Sequence, residues 1–414
     1  MAQTAPEDAR NDRPIVVMKF GGTSVGDEAG RHALADRVTA ALELGRAPVV
    51  VVSAMGRSGA PYATDTLLSL VAELPTDSRE RDLLASVGEV ISAVVVAHEL
   101  RGAGIAATAF TGAEAGIATD GVQGEAAITE IHPGQLMRAI ARGAVPVVAG
   151  FQGVADDGTL NTLGRGGSDT TACALGVALA AEEVEIYTDV DGIMTADPRA
   201  CDGTEVLEVI SADELFQMAA AGSRIVHTPA AELALASGLS VRVRNTFSEH
   251  DGTLVSDIGA YRPDRVATAV SHASDIVRVR VTLPAPEGTR EHMIAQTQVY
   301  RAMADAAVSL DMFTPCGDTL IFTIAESALA DAFAVLDELD LAHEARRGLA
   351  KVTLVGAGMH GIPGVVARMS EHLSAAGVDV YQAADSHTTI SVLVRAEDTI
   401  AAIRALHDGF ELGK

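Results

Sequence analysis

Cysteine is scarce in this 414-residue chain: there are three, Cys173, Cys201 and Cys316, scattered and without metal-ligand spacing. An odd, scattered set is no disulfide framework and no thiolate metal site, and it reads as reduced thiols of a cytoplasmic protein. Basic residues are scarce too. Thirty lysines and arginines stand against fifty-six aspartates and glutamates, a net charge of −26. A surface of that sign repels phosphate backbones and anionic bilayers, so neither nucleic acid nor membrane is expected as a partner. No apolar run reaches the length of a membrane span, and the opening dozen residues are polar and mixed in charge, unlike a secretory leader. Residues 1–13 read as a disordered tail. What is present is 48% hydrophobic residues with moderate glycine and proline, a globular composition on a chain too long for one core.

From 14 to 257, short apolar strands alternate with helices. Pro14 to Phe20 is a β-branched run stopped by Gly21-Gly22, and Asp27 caps an alanine- and leucine-spaced helix over 28–44. A second strand, 48–52, stops at Ser53, and a glycine- and proline-rich loop follows that Thr64-Asp65 closes by capping the next helix. Over 78–100 the large apolar residues Leu83, Leu84, Val87, Val90, Ile91 and Val94 recur at helical spacing, which predicts a core-facing stripe with Glu89 and Gly88 beside it. Strands at 145–151, 184–187 and 241–245 complete the pattern of an open, mostly parallel α/β sheet between helix layers. In such sheets ligands sit beyond the carboxyl ends of the strands.

The densest stretch is Thr162 to Arg199, TLGRGGSDTTACALGVALAAEEVEIYTDVDGIMTADPR. A glycine loop carrying Arg165, Ser168 and Asp169 feeds an alanine-rich helix, and a short strand ends in Thr188-Asp189. Free amides of a glycine turn at a helix N-terminus hold phosphate oxygens. Carboxylates at a neighbouring strand end hold a divalent metal or orient basic groups. The combination predicts phosphoryl transfer.

Beyond a predicted linker at 258–274, the chain repeats itself. VRVRVTLP, a helix near 298–305 and AAVSLDMF are followed by KVTLVGAG, a helix near 366–375 and AGVDVYQA, seventy positions on. Two copies of a small βαβ-type unit are expected, at 275–348 and 349–414, with the last residues free to return to the first copy. Each is small enough that its sheet edges should be shared with the other copy or with another subunit.

Four blocks, KFGGTSV at 19–25, VVSAMG at 51–56, GFQGV through TLGRGGSDTT at 150–171 and YTDVDGIMTADPR at 187–199, resemble the aspartate kinases of the amino-acid kinase family. The resemblance covers nearly the whole chain after the tail. It implies an amino-acid kinase fold followed by two α+β ACT domains, of the kind closest to the diaminopimelate-sensitive enzymes. It also implies transfer of the ATP γ-phosphoryl group to the side-chain carboxylate of L-aspartate, with Mg2+ accompanying ATP. By the same resemblance Lys19 and Asp169 are catalytic, and Thr64, Glu89, Arg165, Gly166, Gly167 and Ser168 bind substrate, Glu89 taking the α-ammonium and Arg165 a carboxylate. ATP falls to Lys19, Phe20, Gly21, Gly22, Ser53, Thr188, Asp189, Met194, Arg199 and Arg224. No general base is needed, since a carboxylate is ionised at neutral pH.

Three positions depart from the family pattern. Met194 stands where relatives often place tyrosine, Arg224 replaces a lysine near ATP, and Thr228 replaces a proline after His227. Arginine keeps the charge but not the geometry. In the C-terminal half Asp311, Met359, Gly364 and Val365 are the expected effector-binding residues, and the effector is an inhibitory pathway amino acid, diaminopimelate, lysine or threonine. A homo-oligomer, dimeric through the ACT domains, is expected. A kinase of a related carboxylate such as glutamate and a non-catalytic amino-acid sensor are the two alternatives.

Overall fold

The structure, a computed structural model, describes residues 13–72, 77–223, 226–256, 266–357, 359 and 362–413. The expected tail, Arg13 excepted, lies outside the described residues, as does 258–265 of the expected linker. The chain divides into two compact units. The first takes the chain through Ile193, Val206–Ala219 and the described residues 226–256; the second takes Met194–Glu205, Ala220–Ser223 and the described residues from 266 on.

The first unit opens with β1 (Ile15–Phe20), α1 (Gly22–Val25), α2 (Glu28–Glu43), β2 (Ala47–Val52), α3 (Thr64–Ser69) and α4 (Ser78–Gly102). There follow β3 (Ala107–Phe110), β4 (Ile117–Thr119), β5 (Ile128–Ile131), α5 (Gly134–Ala141), β6 (Val145–Ala149), β7 (Gln152–Val154) and β8 (Leu160–Thr162). It ends with α6 (Gly167–Ala178), β9 (Glu183–Thr188), β10 (Val209–Ile210), α7 (Ala212–Ala220), α8 (Thr228–Ser237), β11 (Val241–Asn245) and β12 (Thr253–Val255). Eight strands form one sheet in the order β10-β12-β11-β9-β1-β2-β6-β3, parallel except where β12 runs against β11. Every residue of β2 and β6 is buried, as a parallel sheet covered on both faces requires, and this is why those strands read as unbroken apolar runs. A small second sheet, β5-β4-β7-β8, brings Thr162 at the end of β8 back towards the main one.

The predicted stripe of α4 is corrected in part: Val90 and Ile91 are half-buried and pack against the core. Leu83, Val87 and Val94 are exposed, and the buried face is Asp82, Ala85, Ser86, Gly88, Glu89, Ser92, Ala93, Val96, Ala97 and Leu100. The helix can lie this close to the sheet because its inner face is small. A Cβ on Gly88 would stand 2.7 Å from the Tyr62 carbonyl oxygen and 2.8 Å from the Ala54 methyl. By length and composition α4 would also cross a membrane, but half of its most apolar stretch is buried inside this unit.

The second unit adds β13 (Ala269–Thr282), α9 (Arg290–Asp305), β14 (Asp311–Cys316), β15 (Thr319–Ala325), α10 (Leu329–Glu338) and β16 (His343–Val355). It closes with α11 (Val365–Ala375), β17 (Gln382–Asp385), β18 (Thr389–Arg395) and α12 (Thr399–Gly409). The repeat is β13-α9-β14-β15-α10 against β16-α11-β17-β18-α12. It differs from a βαβ unit, because β15 lies between β13 and β14, and β18 lies between β16 and β17. The two copies share a sheet: β13 pairs antiparallel with β16, giving the order β14-β15-β13-β16-β18-β17. Two expected boundaries move with it. Residues 269–274, read as linker, are the start of β13, and β16 runs across the division drawn at 348/349.

Met194–Glu205, read as part of the nucleotide-binding unit, is built into this second unit. Ala196, Ala200 and Cys201 lie in one core with Val352, Met369, Leu406 and Phe410. Val270 N donates to the Thr195 carbonyl at 2.8 Å, and Arg404 Nε to that of Ala200 at 2.8 Å. The Thr195 hydroxyl lies 3.0 Å from Nε2 of His407, an imidazole 2% exposed. Thr195→Val leaves that ring nitrogen unpartnered, and thermal unfolding is expected to show a loss of about 1–3 kcal/mol.

Candidate active site

β1 and β9 run parallel in the centre of the first sheet, and their carboxyl ends place Lys19 and Thr188 on neighbouring strands. Lys19 Nζ meets Asp169 Oδ1 at 2.6 Å, with the two side chains 12% and 10% exposed. A nearly buried ion pair at the start of α6 holds the ammonium beside the glycine turn. Asp169 is therefore the lysine's partner in the first turn of the helix and not its cap. The cap is Gly166, whose φ of +69° is left-handed and which carries no side-chain cap bond. Glycine is required there twice over, since a Cβ would also stand 2.1 Å from the His227 ring. Thr64 likewise lies inside the first turn of its helix, with Ala63 in the cap position, so its hydroxyl is left for the cavity.

Glu89 projects from the small face of α4. Its Oε1 accepts from Ala54 N at 3.1 Å, and its Oε2 is buried with no partner among the described residues. Burial raises the carboxyl to about pKa 7, with the Ala54 N–H acting in the opposite direction. A half-satisfied buried carboxylate is a ready seat for an ammonium group. Arg165 stands on the glycine loop, exposed, with no side-chain partner among the described residues. Cys173, one turn into α6, is inert: burial first and Asp169 second push its thiol up to about 12.

These groups share one cavity of about 560 Å³. Lys19, Gly22, Ser53, Thr64, Glu89, Arg165, Gly166, Gly167, Ser168 and Asp169, all expected from the sequence, line it. Arg57, Asp65, Arg81, Asp82 and Glu125 line it too and were not expected. Arg57 had a visible signal as the one basic residue of the loop GRSGAPYATD. The cavity thus offers separate cations and anions, as a zwitterion with an extra carboxylate beside a polyphosphate would require.

The remaining described positions expected to bind nucleotide do not line this cavity. Phe20 is fully buried and stacks on Tyr187 with ring centroids 4.5 Å apart, so only its backbone is free to serve a ligand. Asp189 holds Arg57 at 2.6 Å. Arg199 is clasped by Asp197, Nε to Oδ1 at 3.0 Å and Nη2 to Oδ2 at 2.7 Å, and both it and Met194 belong to the second unit. Arg224 lies outside the described residues.

In the second unit Asp311 is not an open carboxylate, since Lys351 Nζ sits 2.5 Å from its Oδ2. It does hold an ammonium, that of a lysine side chain. Gly364, with φ +94°, caps α11, whose first residue Val365 is buried together with Met359. Gly358, His360 and Gly361 of the same turn lie outside the described residues.

The sequence profile of the amino acid kinase family matches residues 14–245, and that of the ACT domain matches 344–408. The ACT match opens one residue into β16, in agreement with the strand and not with a division at 348/349. Aspartokinase 1 of Bacillus subtilis is 42% identical over 407 residues, which cover 97% of this chain and 100% of that protein. An aspartokinase of Thermus thermophilus is 37% identical over 413 residues, 97% of this chain and 99% of the relative. Among solved structures, E. coli aspartokinase III in complex with aspartate and ADP, in the R-state, matches with a TM-score of 0.81 at 25% identity. That match spans 95% of this chain and 99% of the other. The same E. coli protein with lysine and aspartate, in the T-state, shares the fold with a TM-score of 0.72 at 24% identity, over 96% and 99% of the two chains.

Proposed function

This chain belongs to the aspartokinases of the amino acid kinase family, and from that premise we infer that it transfers the γ-phosphoryl group of ATP to the β-carboxylate of L-aspartate. The product is 4-phospho-L-aspartate, the entry to the lysine/diaminopimelate, threonine and methionine branch. The observation that carries the reading is the gathering of the Lys19–Asp169 pair, Glu89 and Arg165 around one cavity. Glu89 takes the α-ammonium of aspartate and Arg165 a carboxylate, suited by its fork. Lys19, kept in place by Asp169, stabilises the charge that spreads over the γ-phosphoryl oxygens as the carboxylate oxygen attacks phosphorus. The bond from γ-phosphorus to the bridging oxygen then breaks and leaves with ADP; no proton has to move.

Magnesium fits as a companion of the nucleotide. Such an ion would be held mostly by phosphate oxygens and water and would supply neutralisation of phosphate charge. Among the described residues no cluster of three histidine, cysteine or acidic side chains would bind it alone. Phe20 to Gly22, Ser53, Thr188 and Asp189 form the proposed nucleotide seat on the first unit; for Met194, Arg199 and Arg224 the nucleotide role rests on the family resemblance alone. The proposed location is the cytoplasm, where ATP is made and free thiols persist.

The two ACT-type copies are the proposed sensor of diaminopimelate, lysine or threonine, near Asp311, Met359, Gly364 and Val365, in a dimer formed through this unit. The E. coli relative solved with lysine supports an amino-acid effector. A coupled assay with ATP, magnesium and aspartate should show aspartate-dependent ADP release that one of these amino acids, alone or in a pair, inhibits. No aspartate-dependent release overturns the reading. Inhibition is allosteric in the strict sense if the effector lowers the affinity for aspartate or ATP, and the substrate lowers the effector's in return.

A further inference from the structure

Asp82 is 3% exposed and stands seven positions before Glu89 on the inner face of α4. It touches neither Lys19 nor Asp169, and nothing in the proposed chemistry uses it. Its carboxylate is fully engaged in another way. Oδ2 accepts from Thr162 N at 3.0 Å and from Gly124 N at 2.9 Å, and Oδ1 accepts from the Thr162 hydroxyl at 2.8 Å. One buried side chain therefore ties the helix that carries Glu89 to the residue three before Arg165.

The tie matters because no side-chain bond among the described residues aims Arg165. Its guanidinium has no partner among the described residues, so its position is set by its backbone. That backbone is fixed on one side by α6, where Gly167 N donates to the Gly164 carbonyl at 3.1 Å. On the other side Leu163 N donates to the Phe151 carbonyl at 2.9 Å, and Thr162 is held by Asp82. Gly164 itself rests against the Gly124–Glu125 backbone, the segment that Asp82 also holds.

We propose that Asp82 is a positioning residue for the amino-acid substrate: it sets the span between Glu89 and Arg165, the ammonium seat and the carboxylate seat. This rests on the reading of those two residues under the proposed function. The span decides which dicarboxylic amino acid fits, while the ATP side, built on Lys19 and the strand ends, does not depend on it.

Kinetics of Asp82→Ala and Asp82→Asn test this. The alanine variant loses all three bonds, and its KM for aspartate is expected to rise at least tenfold while KM for ATP stays within about twofold. The asparagine variant can keep all three, its carbonyl replacing Oδ2 and its amide donating to a Thr162 hydroxyl that now accepts. It is expected to bring the aspartate KM back to within about threefold of wild type. Equal rises in both KM values, or an asparagine variant as impaired as alanine, overturn the proposal. The second result would mean that the charge of Asp82 acts on the ligand itself. Should Asp82→Ala not fold, Thr162→Val removes the hydroxyl bond alone, and a several-fold rise in aspartate KM with ATP KM unchanged is expected; no rise overturns the proposal. A wild-type protein without aspartate turnover refutes the proposed function instead. In that case amide exchange at Thr162 and Gly124 still reads the tie: faster in Asp82→Ala and normal in Asp82→Asn, with no change in either defeating it.

Discussion

Lys19→Ala is expected to lower kcat by about 10²–10³-fold, the usual loss when one group aimed at developing transition-state charge is removed. KM for aspartate should change little if, as proposed, Glu89 and Arg165 hold that substrate. Stability has to be separated from chemistry here. Lys19 and Asp169 form a nearly buried pair at 2.6 Å, and taking away the lysine leaves a buried carboxylate without its counter-charge, at a cost of about 3–5 kcal/mol. A double variant resolves the two. Lys19→Met with Asp169→Asn leaves no orphaned charge, so most of the lost stability should return, since paired replacement of buried ions is often neutral. None of the lost kcat should return with it. If denaturant midpoint and kcat recover together, the lysine is a structural ion-pair member and the phosphoryl-transfer role fails.

How far such roles can be read from sequence depends on what each residue type reveals about its surroundings. The central strands β1, β2 and β6 were legible because burial on both faces demands unbroken β-branched runs. So was the Gly164–Asp169 loop, where the glycines themselves report the left-handed turn at Gly166. The inner face of α4 was not. Hydropathy ranks leucine and valine above alanine, serine and glycine, so periodicity selected Leu83, Leu84, Val87, Val90, Ile91 and Val94, of which Val90 and Ile91 do pack against the core. Close approach of Gly88 to the Tyr62 carbonyl and the Ala54 methyl requires a small residue there instead, and Leu83, Val87 and Val94 are left outside. Asp82 was hidden by the same error, although a second acid two turns before Glu89 was a usable signal. The long strand β16 was shortened in the reading because its exposed half is polar; 344–348 at its start face solvent throughout. Met194–Glu205 could not have been assigned locally at all. Its neighbours in sequence belong to one unit, and its packing partners, His407 and Arg404 among them, come two hundred residues later.

Glu89→Gln is expected to lower kcat/KM for aspartate by about 10²–10³-fold, the range for removing one charge from a desolvated pair, and yet to make the protein more stable at alkaline pH. Both effects come from the same burial. In the free protein the carboxyl has a pKa of about 7 because it is removed from water. Only the ionised form attracts an ammonium group, so kcat/KM for aspartate should fall about tenfold per unit as pH drops below 7. Once aspartate is bound, its ammonium stabilises the carboxylate, and kcat should stay flat over the same interval. The sign for stability is opposite. A carboxyl raised from 4.5 to about 7 on folding keeps, in the native state, a proton that the unfolded chain has already lost. Native stability is therefore complete below pH 4.5 and declines as pH rises to 7, by about 3 kcal/mol in all. Glutamine never ionises and escapes that decline, so urea unfolding should show the variant ahead of wild type at pH 8 and level with it near pH 4. A residue kept for packing would behave in the reverse way, losing stability on substitution at every pH and leaving the pH profile of kcat/KM unchanged. The two measurements together distinguish a group held in a strained protonation equilibrium for the sake of its ligand from one that merely fills space.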